Sequence, residues 1–505
     1  MFRLDPQQAV LSHVARKPGS GTGELSHEAM AIVAAPIEPS YSAAVIVGVA
    51  QVVEALLLAT LGFAIFASYV EPGQGVIYLP TIAFATIFAN VMLNAARTHR
   101  IVAYRTAMQQ IGRVLAAWSL VFIVLMLVAF LFKTSELVSR VWLVSWYFSG
   151  AILLVLFRLS LRTLVLQWTR EGRLRRRTVI VGGGHDAEVL VDQIKQSAGT
   201  DVRLLGLFDD RNDERSPESV ASLAKLGRVP DLIEFARQTR VDLVIVSMPL
   251  SAEKRVLEML TQLWVLPVDI RLSAHMSKLR FTSKAYSYVG DVPVFDMVDR
   301  PISDWNLVFK WLFDKLVALA ALVVLSPVMV ATAIAIKLDS KGPVFFRQKR
   351  HGFNNELIDV FKFRSMRTDT TDANAARLVT KGDPRVTRVG KFIRKSSIDE
   401  LPQLFNVLRG ELSIVGPRPH ALQAKADNKL YYEAVEGYFA RHKVKPGITG
   451  WAQINGWRGE TDTVDKIMQR VQHDLYYIEK WSILLDLYIL FMTPVSLFSK
   501  SENAY

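Results

Sequence analysis

Four apolar stretches dominate the first third of the chain, near residues 43–70, 76–96, 114–132 and 141–165. Each is long enough to cross a hydrocarbon layer of ~30 Å, which takes about 20 helical residues. Four such runs with short connections fit membrane helices better than the buried helices of a large soluble core. Loop charge gives them a direction. Arg97, Arg100, Arg105 and Arg113 lie between the second and third, and Arg170, Arg173, Arg175, Arg176 and Arg177 follow the fourth. The connection Glu71-Pro72-Gly73-Gln74-Gly75 holds no basic residue. By the positive-inside rule both ends of this four-helix unit face the cytoplasm. The polar tail, 1–42, lacks the apolar core of a cleavable signal peptide, so the later segments direct insertion.

The chain has 505 residues, which suggests about three units at ~100–200 residues each. Its net charge of +13 suits anionic partners such as lipid headgroups and phosphates. No DNA- or RNA-binding motif accompanies the charge, so nucleic acid is the weaker partner. Cysteine is absent, which excludes disulfides and thiol chemistry.

A soluble α/β pattern occupies 171–300. Arg177-Thr178-Val179-Ile180-Val181 reads as a buried strand that ends in the glycine turn Gly182-Gly183-Gly184. A helix follows over 185–197, and strand-like runs recur at Val202–Phe208 and Val241–Val246. This βαβ spacing predicts a Rossmann-like parallel sheet. Gly182, Gly184 and Ala187 fit G-x-G-x-x-A, a turn that brings backbone close to a pyrophosphate, and Asp209 and Asp210 stand where a ribose-binding acid would. The motif alone is weak. A domain of this pattern that binds no dinucleotide fits as well, and 171–300 holds no Tyr-x-x-x-Lys pair for short-chain-type proton transfer.

Leu316–Ile336 is a fifth apolar segment, flanked by Lys310, Lys315, Lys337 and Lys341. As a crossing helix it would place everything after it outside, away from cytoplasmic nucleotide substrates. Ser326-Pro327 stands at its midpoint. The proline removes the bond to the Val323 carbonyl and bends the helix, at a cost of about 3 kcal/mol if nothing compensates. The serine hydroxyl can satisfy part of the freed backbone. The expectation is a re-entrant helix, 311–338, that returns to the face it entered from.

The carboxyl-terminal part is dense in Gly/Pro/Arg turns. Gly342-Pro343-Val344-Phe345-Phe346-Arg347-Gln348, Phe361-Lys362-Phe363-Arg364-Ser365-Met366, Ser413-Ile414-Val415-Gly416-Pro417-Arg418-Pro419, Lys445-Pro446-Gly447-Ile448-Thr449-Gly450-Trp451 and Asn455-Gly456-Trp457-Arg458-Gly459 follow one another. Rigid turns that carry arginine suit anion recognition, because the guanidinium fork matches phosphate oxygens. Among them stand the adjacent acids Asp399 and Glu400.

Two readings of that pair compete. Ser397-Ile398-Asp399-Glu400 fits the S-x-x-E capping box, in which serine and glutamate satisfy free amides at a helix start. Acids are also favoured in a first helical turn by ~0.3–1 kcal/mol. Pro402 would sit at the fifth helical position if Ser397 is the N-cap, and within the first turn if Asp399 is. Alternatively the pair is catalytic. A carboxylate at a helix N-terminus can attack phosphorus and form an acyl phosphate, and its neighbour can hold a hard cation such as Mg²⁺. The residues alone leave the choice open.

Taken in order, Lys362-Phe363-Arg364-Ser365-Met366, Asp399-Glu400-Leu401-Pro402-Gln403, Val415-Gly416-Pro417-Arg418-Pro419 and Lys445-Pro446-Gly447-Ile448-Thr449-Gly450 closely resemble the polyprenyl-phosphate hexose-1-phosphate transferases, the large monotopic phosphoglycosyl transferases. The match is dense over 310–505, and the four-helix start and the Rossmann-like middle also look like the large members. The resemblance implies that Asp399 attacks the β-phosphorus of a UDP-sugar, releases UMP, and passes the phosphosugar to undecaprenyl phosphate. It implies that Glu400 ligates Mg²⁺, that Lys362, Arg364 and Arg418 contact diphosphate or lipid phosphate, and that Arg458 contacts nucleotide or sugar. It also implies a re-entrant Ser326-Pro327 segment at the inner leaflet of the bacterial inner membrane. Gly456–Asp462 and the ending Ser501–Tyr505 look most like glucose-1-phosphate transferases that start exopolysaccharides, with galactose the alternative.

The expected fold class is thus membrane α plus α/β. A four-helix transmembrane bundle (43–170) leads to a Rossmann-like domain (171–300) and a mainly α monotopic catalytic domain (301–505). A membrane-bound nucleotide-sugar dehydratase and a non-catalytic scaffold are the rival classes. The sequence leaves oligomeric state open, a homodimer included.

Overall fold

The computed structural model describes residues 25–36, 39–70, 75–133, 138–197, 201–211, 219–248, 252–273, 287–289, 292–367, 383–422, 424–427, 429–435, 437–458 and 463–499. The connection Glu71–Gln74, the run Gly459–Asp462 and the ending Ser501–Tyr505 lie outside the described residues.

One compact unit comprises residues 37–176 and 198–201. Its four apolar stretches form the helices Ala43–Tyr69, Gly75–Ala95, Ala107–Leu131 and Arg140–Arg170. Ser42 and Ser139 cap two of them by accepting from the amides of Val45 and Trp142. Their shared core is aromatic. Trp118, Trp142 and Trp146 are almost wholly buried. The indole nitrogens of Trp142 and Trp146 donate to the carbonyls of Gly62 and Leu58 at 3.0 and 3.1 Å. Gly62 is required for this approach, since a Cβ there would lie 2.7 Å from the Trp146 ring. Buried Glu54 accepts from Arg158 and His99, each at 2.8 Å, as a charge within an apolar helix must.

The other unit gathers residues 1–36, 177–197 and 202–505. It contains an eight-stranded sheet built from β1 (Arg176–Val181), β2 (Val202–Phe208), β3 (Ser219–Val220), β4 (Leu223–Gly227), β5 (Leu243–Val246), β6 (Asp269–Ser273), β7 (Ser287–Val289) and β8 (Val292–Val298). The order is β3-β4-β2-β1-β5-β6-β8-β7. The pairs β2–β4, β1–β5 and β5–β6 are parallel. The pairs β3–β4, β6–β8 and β7–β8 are antiparallel, so the expected parallel sheet holds at the centre and not at its edges. The continuous apolar runs of β1 and β5, buried on both faces, made the centre readable. The short edge strands carry no such signal.

The polar tail holds an element of its own. His27–Ala34 is a helix, capped by Ser26, whose hydroxyl accepts from the Ala29 amide at 3.2 Å. Leu25 and Ala29 are buried in one core with Leu232 and Phe235 of the helix Val229–Gln238. Leu25, Ala29, Ile32 and Val33 form a narrow apolar face that the polar average over 1–42 conceals.

The fifth apolar segment is one helix, Asp304–Asp339, longer than the expected 311–338. Pro327 lies inside it, and Ser326 Oγ donates to the Val323 carbonyl at 2.9 Å, the group that the proline leaves without an amide. Ala318, with Phe313 and Val317 beside it, packs in a core with Val407, Leu412 and Val415. Met329 and Ile336 pack with Phe363 and Ile393. Both halves of the helix therefore rest on the same carboxyl-terminal domain, while Val323 and Val324 between them are exposed. Lys310, which precedes the apolar stretch, is drawn inward. It is buried, and Nζ donates to Asp486 at 2.6 Å and to the Val415 carbonyl at 2.9 Å.

Candidate active site

Four segments converge on Glu400. The first is an antiparallel hairpin, Phe345–His351 with Leu357–Phe363, that follows the long helix directly. The carboxyl-terminal domain is thus less purely helical than expected, and Lys362 sits on this hairpin. Asn406, fully buried, ties the hairpin to the helix Gln403–Arg409. Its Oδ1 accepts from the Phe361 amide at 3.0 Å, and its Nδ2 donates to the Asp359 carbonyl at 2.7 Å.

The second segment carries the acids. The basic helix Arg388–Lys395 starts at Thr387, whose hydroxyl accepts from the Gly390 amide at 2.9 Å. The chain then reverses through Ser397 in a left-handed conformation (φ 57°) into a single 3₁₀ turn, Ile398–Glu400. The capping box does not form. Ser397 Oγ accepts from Arg458 Nη2 at 2.7 Å, and the Glu400 carboxylate turns to other partners. The α-helix starts only at Gln403, with Pro402 at its N-cap, so neither Ser397 nor Asp399 caps it. Proline is well placed there, where its missing N–H costs nothing.

The third and fourth segments are the glycine–proline turns. The strand Ser413–Val415 pairs in parallel with Gly447–Thr449. Beyond it the turns interlock through backbone bonds, Gly416 N to the Thr449 carbonyl and Gly447 N to the Pro417 carbonyl, both 2.9 Å. A Cβ on Gly447 would collide with the Gly416 backbone, so this approach requires glycine. The interlock presents Arg418.

Arg418 grips Glu400 with a two-pronged fork, Nη2 to Oε1 at 2.5 Å and Nη1 to Oε2 at 3.1 Å. Lys362 Nζ donates to Oε1 at 3.0 Å. Burial works against the Glu400 carboxylate, and Arg418 and Lys362 outweigh it, holding its pKa well below the ordinary range. Asp399 differs. Among the described residues its carboxylate has no ion pair or hydrogen bond, and it keeps 8% exposure. Burial and the like charge of Glu400 push its pKa up, against the opposing charges of Lys362, Arg394 and Arg418. Two adjacent carboxylates thus have separate electrostatic fates, one clamped and one open.

The other expected site residues divide. Arg458 joins the site through Ser397. Arg364 does not meet Glu400. It is buried and donates to the carbonyls of Ser340, at 2.8 Å, and Lys341, at the end of the long helix. Three arginines that the sequence did not single out belong to the site or its support. Arg394 faces Asp399 electrostatically. Arg350 lies in the field of Arg418 and Glu400. Arg441 donates to the Arg418 carbonyl at 2.6 Å and to Asp474 at 2.6 Å. Arg394, five residues before Asp399 in a basic run, was the one with a readable signal.

Among the described residues no three His, Cys, Asp or Glu side chains group as a metal site. Two adjacent carboxylates remain a fitting donor set for Mg²⁺, which takes one or two carboxylates and completes its shell with substrate phosphates and water.

The glycine turn of the sheet is self-contained. Gly183 N donates to Asp209 Oδ2 at 3.0 Å, and Arg211 Nε donates to the same carboxylate at 3.0 Å. Arg211 Nη2 donates to the Gly183 carbonyl. Asp210 caps the helix Val229–Gln238 by accepting from the Val229 amide at 2.9 Å. Both acids in the ribose position are engaged by the protein itself.

A buried glutamate held by Arg418 and Lys362 beside an unpaired aspartate, on a domain with a long apolar helix, is an arrangement that suits a membrane-associated phosphotransferase. Comparison with known proteins narrows this. Residues 305–500 match the family described as bacterial sugar transferase, and residues 95–274 match one described as CoA-binding domain. An undecaprenyl-phosphate glucose phosphotransferase of Komagataeibacter xylinus is 44% identical over 64% of this chain and 59% of its own length. UDP-glucose:undecaprenyl-phosphate glucose-1-phosphate transferases of Xanthomonas campestris pv. campestris and Escherichia coli K12 are 38% and 39% identical, over 75% and 70% of this chain and 78% and 74% of their own lengths. The chain belongs to the polyprenyl-phosphate hexose-1-phosphate transferase family. It is a membrane enzyme, and among the described residues five helices, Asp304–Asp339 included, are long and apolar enough to span a bilayer.

Proposed function

We propose that this protein transfers glucose-1-phosphate from UDP-glucose to undecaprenyl phosphate, the step that starts an exopolysaccharide repeat unit. The carrying observation is the contrast within the pair: Glu400 held by Arg418 and Lys362, Asp399 beside it without a partner among the described residues. The Asp399 carboxylate oxygen attacks the β-phosphorus. The bond from that phosphorus to the bridging oxygen breaks, and UMP leaves with the oxygen. A phosphate oxygen of undecaprenyl phosphate then attacks the phosphorus of the acyl phosphate and returns Asp399 as carboxylate. Lys362 and Arg418 receive the negative charge of the diphosphate, because their present partner is itself an anion. Glu400, freed as those cations move to phosphate, is the residue that would hold Mg²⁺, whose chemistry there is to neutralise diphosphate charge. Arg458, which donates to Ser397 beside the acids, is the residue we assign to nucleotide or sugar.

Packing supports the expected topology. The helix His27–Ala34 and the helix Val229–Gln238 share one core, so the chain between them crosses a bilayer an even number of times. Both halves of Asp304–Asp339 rest on one domain, which favours a helix that dips into one leaflet over one that crosses. With arginine-rich inner loops, this supports our reading that the sheet and the catalytic domain lie on the cytoplasmic side of a bacterial inner membrane.

The glucose assignment follows the relatives' names. The test is UMP release across a UDP-sugar panel with undecaprenyl phosphate and Mg²⁺. UDP-glucose as the preferred donor is the expected result. Release only from another sugar removes glucose, and no release from any sugar removes the reaction.

A further inference from the structure

The transfer chemistry leaves unused a junction between the sheet's helices and the catalytic core. The helix Val229–Gln238 brings Arg237 to it. The Arg237 guanidinium lies 5.0 Å over the Phe439 ring, and the Ala236 carbonyl accepts from Asn354 Nδ2 at 2.8 Å. With the Asn355 amide oxygen turned toward Arg237, it accepts from Nε and Nη2 at 3.1 and 2.9 Å, and its nitrogen donates to His442 Nδ1. His442 stacks on His351 with ring centroids 5.6 Å apart. Next to it, Lys443 Nζ lies 4.4 Å from the Trp264 ring centroid, behind the helix Glu253–Leu263.

Each of these histidines follows an arginine that points the other way. Arg350 Nη1 donates to the Pro419 carbonyl, and Arg441 Nη2 donates to the Arg418 carbonyl at 2.6 Å. Two successive carbonyls of the turn that presents Arg418 are therefore held by guanidiniums. The residue after each guanidinium belongs to the junction. Arg441 is fixed further by Asp474 at 2.6 Å and His420 Nδ1 at 2.5 Å, so a shift of the 438–443 turn moves the Arg418 backbone with it. Such a contiguous hydrogen-bonded chain can carry a displacement from one domain to the other.

We infer that the Rossmann-like domain sets the position of Arg418, with Arg237 as a positioning residue that acts through Asn355 and the paired steps Arg350–His351 and Arg441–His442. This rests on the proposed transferase reading, in which Arg418 meets the diphosphate. The middle domain then serves the phosphoryl site without binding substrate itself.

The experiment is a double-mutant cycle on the full-length protein in lipid nanodiscs, with UMP release from UDP-glucose as readout. Arg237→Ala lowers kcat about tenfold, the scale of a small misplacement at a reacting centre. In the Arg418→Ala background the same change has no further effect, because the group it positions is gone. A purely structural role would reduce activity in both backgrounds alike. Should Arg237→Ala lose its melting transition, Arg237→Gln, which keeps a donor toward Asn355, takes its place, with a smaller loss that again vanishes without Arg418. An active wild type with Arg237→Ala unchanged, or with losses that multiply in the double variant, overturns this inference alone. A wild type that releases no UMP from any UDP-sugar overturns the parent reading instead.

Discussion

Two turns in this protein bring a glycine-rich backbone, an acid and an arginine together, and only one of them is left open. At the sheet, Asp209 and Arg211 are two residues apart and close on each other and on Gly183. In the carboxyl-terminal domain Glu400 draws Lys362 and Arg418 from 38 and 18 residues away, and its neighbour Asp399 is left unpaired among the described residues. A local acid–arginine pair satisfies itself and needs no ligand. A site assembled from distant segments can concentrate like charges and bury a carboxylate without a partner, which the fold tolerates only because other packing sustains it. The glycine motif was the more familiar signal, and the convergent site is the one with unspent chemistry.

The largest test of that contrast removes the open carboxylate. Asp399→Asn should abolish UMP release, by about a thousandfold or more, as loss of a covalent nucleophile does. Next, Arg418→Ala should cost about a hundred- to a thousandfold in kcat/KM, read from steady-state UMP release. The equivalent cut at the sheet, Arg211→Ala, should change the same rate by less than about twofold, since the pair is local to the sheet, buried Asp209 keeps the Gly183 amide as a partner, and neither residue contacts Glu400. A large loss there would erase the distinction between the turns.

Smaller effects sharpen it through pH. The folded pKa of Asp399 is raised by burial, so ionising it costs stability as pH rises through that value. Asp399→Asn should therefore raise the melting temperature by a few degrees at neutral pH, with the gain shrinking in acid. The folded pKa of Glu400 is lowered, so its stabilisation is present above the unfolded value and lost as pH falls through the folded one. Glu400→Gln should lower the melting temperature at neutral pH, and the difference should fade in acid. Opposite signs at adjacent residues, measured by thermal denaturation at two pH values, would confirm separate environments. The same sign at both would contradict them. The acid limb of the rate profile should also lie above the ordinary aspartate value of 3.8.

Much of this was legible in the sequence, for identifiable reasons. Long apolar runs have few folds open to them, and all four became helices near their expected bounds. Val202–Phe208 was a strand as read, because its apolar residues form a run broken only by exposed Arg203 and by Gly206, and its last three residues are buried. Ser326 fulfilled the hydroxyl role that Pro327 creates. The capping box failed for a tertiary reason. Its serine and glutamate each met a cation from another segment, Arg458 and Arg418, that no local rule contains. Arg364 looked like Lys362 two residues before it, but the strand Leu357–Phe363 ends between them, and beyond it Arg364 turns to the carbonyls of Ser340 and Lys341 while Lys362 meets Glu400. Arg350 and Arg441 carry no motif. Their importance lies in the carbonyls they hold, which exist as targets only once the Arg418 turn has folded.

The central claim is that Asp399 becomes covalently bound to the phosphosugar. The direct measurement is mass spectrometry of the protein trapped with UDP-glucose and Mg²⁺ in the absence of undecaprenyl phosphate, followed by peptide mapping. The account predicts a hexose-phosphate adduct on Asp399 that undecaprenyl phosphate discharges and that Asp399→Asn lacks. An adduct of the same size on the Asp399→Asn protein, or UMP release at the wild-type rate from that variant, would contradict it.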